Sequence, residues 1–265
     1  MTPSTTPSTE PLLSLQGVAK RFVLHHQHGA VLPVFDQVDL DVHAGECVVL
    51  SGPSGMGKST LLKLVYANYR ATAGQIWVRS ATGQRIDLGQ ATPNQLVELR
   101  RHTIGYVSQF LRVIPRVSAL DVVAEPLLDG LETLQPQERE AAREAARATA
   151  RQWLARLRIP EHLWALPPAT FSGGEQQRIN IARSLIRHRP LVLLDEPTAS
   201  LDAANTATVI ELIHEARQRG SALLGIFHDR AVADAVATRS VPVASFRHAL
   251  PTAVPATPNT EGALA

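Results

Sequence analysis

The chain has one cysteine, Cys47. It can close no internal disulfide, so a disulfide-stapled secreted scaffold is excluded. Cys47 opens the apolar run Cys47-Val48-Val49-Leu50, where a free thiol reads as a small buried residue in a reducing interior. No apolar run approaches the ~20 residues that cross a bilayer, so any work at a membrane needs another chain to span it. The opening residues Met1-Thr2-Pro3-Ser4-Thr5-Thr6-Pro7 carry neither the basic nor the apolar segment of a secretory signal, and a cytoplasmic location is expected. Charge of one sign is scarce as well. A net charge of +2 gives no case for nucleic acid or an anionic membrane as partner. Neither a fixed-period repeat nor a sustained heptad pattern interrupts the chain.

What is there is a core former: 45% of the 265 residues are apolar and 19% charged, enough for one large domain or two small ones. The segments 1–11 and 248–265, rich in Thr, Pro and Ala, are expected to be disordered tails around a folded unit at 12–247. Leu13 to Val18 and Val38 to Val42 alternate as strands, with a β excursion from Arg21 to Phe35 between them. That excursion holds His25, His26 and His28, which read as a solvated loop because no carboxylate or Cys stands at ligand spacing. Gly74 to Val78 and Arg85 to Leu88 read as short strands, and Pro93 to Arg101 as a helix opened by its proline. Ile104 to Gln109 is a strand with a polar end. Pro136 to Arg158 is helical, with Ala146, Ala150, Leu154 and Leu157 on one face. A helix from Ser172 to about His188, the unbroken apolar strand Leu191 to Leu194, a helix from Asn205 to Arg219 and the strand Ala222 to Phe227 follow. Strands alternating with helices imply an α/β fold.

The chemistry starts at Gly52-Pro53-Ser54-Gly55-Met56-Gly57-Lys58-Ser59-Thr60, which fits G-x-x-x-x-G-K-[ST] between an apolar strand and a helix. Glycines let backbone N–H groups curl around phosphate oxygens, and the helix start adds donors. Lys58 is placed for the β- and γ-phosphates and Ser59 for Mg²⁺, which makes ATP with Mg²⁺ the expected ligand. The strand Leu191 to Leu194 delivers Asp195, a carboxylate for Mg²⁺, and Glu196, a candidate base for an attacking water. Gln109 and His228 end neighbouring strands on the same rim. An amide there can bridge Mg²⁺ and the water, and an imidazole can donate to the γ-phosphate. A second glycine pair opens a helix at Phe171-Ser172-Gly173-Gly174-Glu175-Gln176-Gln177-Arg178.

Phosphate loop, Gln109, the Ser172 to Gln177 signature, Asp195-Glu196, Ser200-Leu201-Asp202 and His228, in that order, resemble the ATP-binding-cassette ATPases. The resemblance implies a phosphate-loop NTPase core with an N-terminal antiparallel β subdomain and an inserted helical subdomain at about 110–189. It also implies a head-to-tail dimer, homo- or heteromeric, in which Ser172, Gly173, Gly174, Gln176 and Asp202 of one protomer close over the nucleotide held by the other. Phe22 takes the place of the usual adenine-stacking Tyr, and Phe227 that of the Thr usually found before the switch histidine. Stretches that, apart from Gln109 and His228, lie outside the residues needed for hydrolysis, among them Tyr66-Ala67-Asn68-Tyr69, Val107 to Arg116 and Gly225-Ile226-Phe227-His228-Asp229, look like PhnL-type subunits of the bacterial carbon–phosphorus lyase system. That likeness implies other subunits of that system as partners, including a related cassette ATPase, and a part in forming ribose 1-methylphosphonate 5-triphosphate. Two other readings stand beside it: a transporter ATPase of the lipoprotein-release or macrolide-export type, and a module that uses nucleotide only as a dimerisation switch.

Overall fold

The computed structural model describes residues 10–24, 29–108 and 116–246. Two sheets carry the fold. In the first, β1 (Leu13–Leu24) and β2 (Ala30–Val42) form a long antiparallel ladder, with Leu13 opposite Val42 and Leu24 opposite Ala30. Buried Val38, Leu40 and Val42 alternate with exposed Asp39 and Asp41, as a sheet covered on one face requires. The ladder shifts register between Leu15 and Arg21. There Gly17 takes a positive φ and gives its N–H to the Asp39 carboxylate at 2.8 Å. β4 (Ala73–Arg79) pairs on the other side of β1, and β5 (Arg85–Asp87) completes the order β2-β1-β4-β5.

The second sheet contains β3 (Cys47–Ser51), β6 (Ile104–Val107), β7 (Leu191–Asp195), β8 (Ala222–Ile226) and β9 (Arg239–Pro242). Its order is β6-β7-β8-β3-β9 and its pairings are parallel, so the carboxyl ends of the strands share one edge. Every residue of β7 and β8 is buried. The period of two along a strand divides their side chains between two cores. Val48, Leu50, Leu191, Leu193 and Leu224 face the first sheet and α1 (Lys58–Val65). Val49, Val192, Leu194 and Leu223 face α3 (Ala119–Ala124), α4 (Pro136–Arg156), α5 (Gly173–Leu185) and α6 (Ala203–Gln218). The anticipated α4 face is the one that packs: Ala146, Ala150, Leu154 and Leu157 are all buried.

Several boundaries differ from the sequence reading. α2 (Pro93–Glu98) gives way to a wide π-helical turn, Leu99–Thr103, where Arg100 donates to the carbonyls of Tyr66 and Ala67. α5 starts one residue later than expected because Ser172 caps it, and α6 two residues earlier because Asp202 does. α3, α7 (Arg230–Val236) and β9 lie beyond the sequence reading; β9 forms the edge of the parallel sheet beside β3. No helix among the described residues is long and apolar enough to cross a membrane. Gln109 and the loop histidines His25, His26 and His28 lie outside the described residues.

Candidate nucleotide site

β3 runs into the phosphate loop, where Gly52, Gly55 and Gly57 all have positive φ. Gly57 ends the loop as the N-cap of α1 without a side-chain cap, which leaves the first N–H groups of the helix for an external acceptor. A Cβ at Gly57 would overlap the Val34 side chain, so the loop lies close under β2. Lys58 folds back over the loop, donating from Nζ to the Gly52 carbonyl at 2.6 Å and the Pro53 carbonyl at 2.8 Å. Ser54 and Gly55 are exposed on the rim, while Ser59 and Thr60 are half-buried at the start of α1.

At the end of β7, Asp195 is only 5% exposed. Its Oδ1 accepts from the Ser59 hydroxyl at 3.0 Å and its Oδ2 from the Tyr106 hydroxyl at 2.9 Å. Among the described residues no cluster of three or more His, Cys, Asp or Glu side chains could cage a metal ion. A pair of hard oxygens, Ser59 and Asp195, is what Mg²⁺ needs when phosphate oxygens and water fill the rest of its shell, so the residues fit that ion. Glu196 follows with φ 52, a left-handed backbone that costs a non-glycine residue about 1 kcal/mol. Its N–H bonds the Ile226 carbonyl at 3.0 Å, which fixes the backbone of this half-buried residue beside the end of β8. His228, two residues past Ile226, is exposed on the same edge.

Phe22 stands on β1 opposite Leu32, two residues from the Val34 that touches the phosphate loop. Its ring meets Tyr69 edge-on at 5.4 Å, and the Lys20 ammonium lies 4.6 Å from its centroid. Gln109 is undescribed. The carbonyl of its neighbour Ser108 accepts from the Asn180 amide at 2.6 Å, which ties the end of β6 to α5.

The glycine-led start of α5 forms a second, outward group. Ser172 caps the helix in a reciprocal box: its N–H and hydroxyl donate to the Glu175 carboxylate at 2.9 and 2.7 Å, and its oxygen accepts from the Glu175 N–H. The Ser172 hydroxyl, with its backbone N–H, holds the Glu175 carboxyl below the usual range. Ser172 and Gly173 are exposed. A Cβ on Gly174 would stand 2.8 Å from the Ser200 carbonyl oxygen, whereas one on Gly173 would meet nothing within 4 Å. Gln176 donates to the Phe171 carbonyl, and buried Gln177 to the Pro197 carbonyl at 3.2 Å. Asp202 caps α6, accepting from the Asn205 N–H at 2.8 Å, and that bond leads the interactions holding its carboxyl below the ordinary range.

The structure thus brings Lys58, Ser59, Asp195, Glu196 and His228 to one sheet edge. It sets Ser172, Gly173, Gly174, Gln176 and Asp202 in a separate assembly joined through Ser200 and Pro197. Sequence reasoning missed Tyr106, gave Gln177 of the signature no role of its own and missed Asn180. The signal for the last two was polar residues on the apolar stripe of a helix; Tyr106 gave none, being one aromatic within a short apolar strand. Beside the site a cleft of about 860 Å³ opens between the core and the helical segment, with Tyr66, Arg100, Tyr106, Asp129, Asn180 and Arg187 among its walls.

A phosphate loop after a buried parallel strand, an Asp-Glu pair on the next-but-one strand and a glycine-led helix start turned outward define a cassette ATPase. The ABC transporter family model matches residues 35–199, and the chain belongs to that family. It is similar to the lipoprotein-releasing system ATP-binding protein LolD of Shewanella sp. (strain MR-4), 36% identical over 220 residues that span 82% of this chain and 87% of the relative. It is also similar to the macrolide export ATP-binding/permease protein MacB of Sodalis glossinidius (strain morsitans), 34% identical over 226 residues. That match takes in 85% of this chain but only 32% of the relative, so the chain spans about a third of MacB's length. Among solved structures it is similar to the ATP-binding cassette MJ0796, described as a dimeric, post-hydrolysis state bound to ADP and Pi. The TM-score is 0.73 at 28% identity, with 87% of this chain and 93% of the other covered. The fold is that of an ABC nucleotide-binding domain.

Proposed function

We propose that this chain hydrolyses ATP between two cassettes arranged head to tail and uses the closure to drive a partner assembly. The observation that carries the reading is Gly173: exposed, at a helix start, with no neighbour of its own to demand a glycine. A glycine with open space around it serves close approach from outside the chain. The dimeric state named for MJ0796 supports a dimer as the working unit.

Within one site, the phosphate loop's N–H groups and Lys58 bind and orient the triphosphate, with Gly52, Ser54, Gly55, Gly57 and Thr60 shaping the cradle. Phe22 offers the adenine a ring face. Ser59 and Asp195, helped by Gln109, would hold Mg²⁺, which would supply positive charge against the triphosphate. Glu196 takes the proton of the attacking water, and His228 donates to the γ-phosphate as charge spreads over it. The other protomer supplies Ser172, Gly173, Gly174, Gln176 and Asp202. The folded unit 12–247, with a helical subdomain at about 110–189, is part of this reading.

The names of the relatives LolD and MacB support a membrane permease of the lipoprotein-release or macrolide-export type as partner. A second reading rests on a different observation. The stretches Tyr66 to Tyr69, Val107 to Arg116 and Gly225 to Asp229 resemble PhnL-type proteins, and apart from Gln109 and His228 their residues take no part in hydrolysis. On that reading the ATPase docks on carbon–phosphorus lyase subunits and supports formation of ribose 1-methylphosphonate 5-triphosphate. Native co-purification with ATP, from both detergent-solubilised membranes and phosphate-starved cells, separates the two. Recovery of a permease supports the first and recovery of carbon–phosphorus lyase subunits the second; absence of both contradicts both. Steady-state hydrolysis by the purified chain excludes a mere nucleotide switch.

A further inference from the structure

Tyr106 belongs to none of the motifs, yet it reaches the centre of the site. It lies on β6 opposite Leu193 of β7, one residue from the Val107–Leu194 pair that leads to Asp195. Its hydroxyl donates to Asp195 Oδ2 at 2.9 Å, while Ser59 donates to the other oxygen at 3.0 Å. The two donors do different work. Ser59 has an oxygen that could itself take a place on a cation, whereas Tyr106 touches the site only through its bond to the carboxylate. Tyr106 therefore serves the carboxylate alone, holding its Oδ2 side. Its ring is fixed from behind: it packs on Tyr66 with centroids 4.8 Å apart, and Tyr66 lies under the Arg100 guanidinium at 4.9 Å. Arg100 is in turn tied to the Tyr66 and Ala67 carbonyls at 3.1 Å each. The phenol is therefore held in position before any ligand arrives.

We propose that Tyr106 is a positioning residue for Asp195, fixing the carboxylate in the orientation that grips the divalent cation. The proposal rests on the ATPase reading above. Partners that orient a metal-binding side chain are commonly worth about 10-fold or more in metal affinity.

The test uses the full chain with Tyr106→Phe, which keeps the ring and its packing and removes only the O–H. Tyr106→Trp is the second variant, and far-UV circular dichroism checks both folds. Mn²⁺ is the probe, its binding followed by electron paramagnetic resonance in the presence of a non-hydrolysable ATP analogue. Both variants are expected to bind Mn²⁺ about 10-fold more weakly, with analogue affinity in EDTA within about 2-fold of the parent, the change a site untouched at its phosphate contacts should show. The Mg²⁺ concentration that half-saturates hydrolysis should rise by the same factor as the Mn²⁺ loss. Parent-like Mn²⁺ affinity in both variants overturns the role of Tyr106 and leaves the ATPase reading standing. A parent chain that takes up no Mn²⁺ with the analogue overturns both.

Discussion

The two glycines that open α5 are adjacent, yet they answer to different neighbours, and exchanging each for alanine separates those demands. At Gly174 the added carbon would stand 2.8 Å from the Ser200 carbonyl oxygen, closer than real Cβ contacts come. The backbone there has little room to yield, because Gln177 is bonded to the Pro197 carbonyl and Arg178 to the Leu157 and Arg158 carbonyls. Such overpacking costs about 1–3 kcal/mol. At Gly173 the added carbon meets nothing within 4 Å, and alanine in a helical turn should stabilise the chain by up to about 1 kcal/mol. Urea unfolding of the two variants should therefore move in opposite directions. Hydrolysis should not follow stability. If another protomer's triphosphate closes onto Gly173, a methyl group there raises the barrier, and each ~1.4 kcal/mol lost is a factor of ten in rate. The expected Gly173→Ala chain is at least as stable as the parent and about 10-fold or more slower. A Gly173→Ala chain that hydrolyses ATP at the parent rate refutes the reasoning, as does a Gly174→Ala chain with unchanged stability.

Glu196→Gln should slow steady-state turnover by roughly 10²–10⁴-fold, the usual worth of a general base, while nucleotide binding measured by calorimetry stays intact. Cys47 is fully buried and burial pushes its thiol up to about 12; iodoacetamide at pH 8 should leave it unmodified in the native chain and alkylate it in urea. Glu175 is depressed in the folded chain chiefly by the Ser172 hydroxyl, so its contribution to stability is complete above the ordinary carboxylate pKa of about 4.3 and is lost as pH falls through the lowered value. The urea midpoint should drop on acidification below about pH 4, and Ser172→Ala should show a smaller drop from the same starting pH.

How much of this was legible beforehand depended on how local the cause was. The phosphate loop, Asp195-Glu196 and the α4 face follow from spacing and periodicity within a few residues, and they stand where those patterns placed them. α3, α7 and β9 are short; what holds them is packing on distant strands, as when Thr238 donates its N–H to the Cys47 carbonyl. Local pattern carries no trace of such a bond. Gly173 and Gly174 look alike in sequence, and only the approach of Ser200 shows that one serves its own chain. Tyr106 is the same case. Its hydroxyl matters because β6 lies beside β7, a pairing between segments more than 80 residues apart.

The central claim is a nucleotide closed between two protomers, and light scattering on the Glu196→Gln chain tests it most directly. With ATP and Mg²⁺ that chain should run as a dimer, without nucleotide as a monomer, and with Ser172→Arg added as a monomer that still binds ATP. A dimer that survives Ser172→Arg, or that forms equally without ATP, would contradict the account.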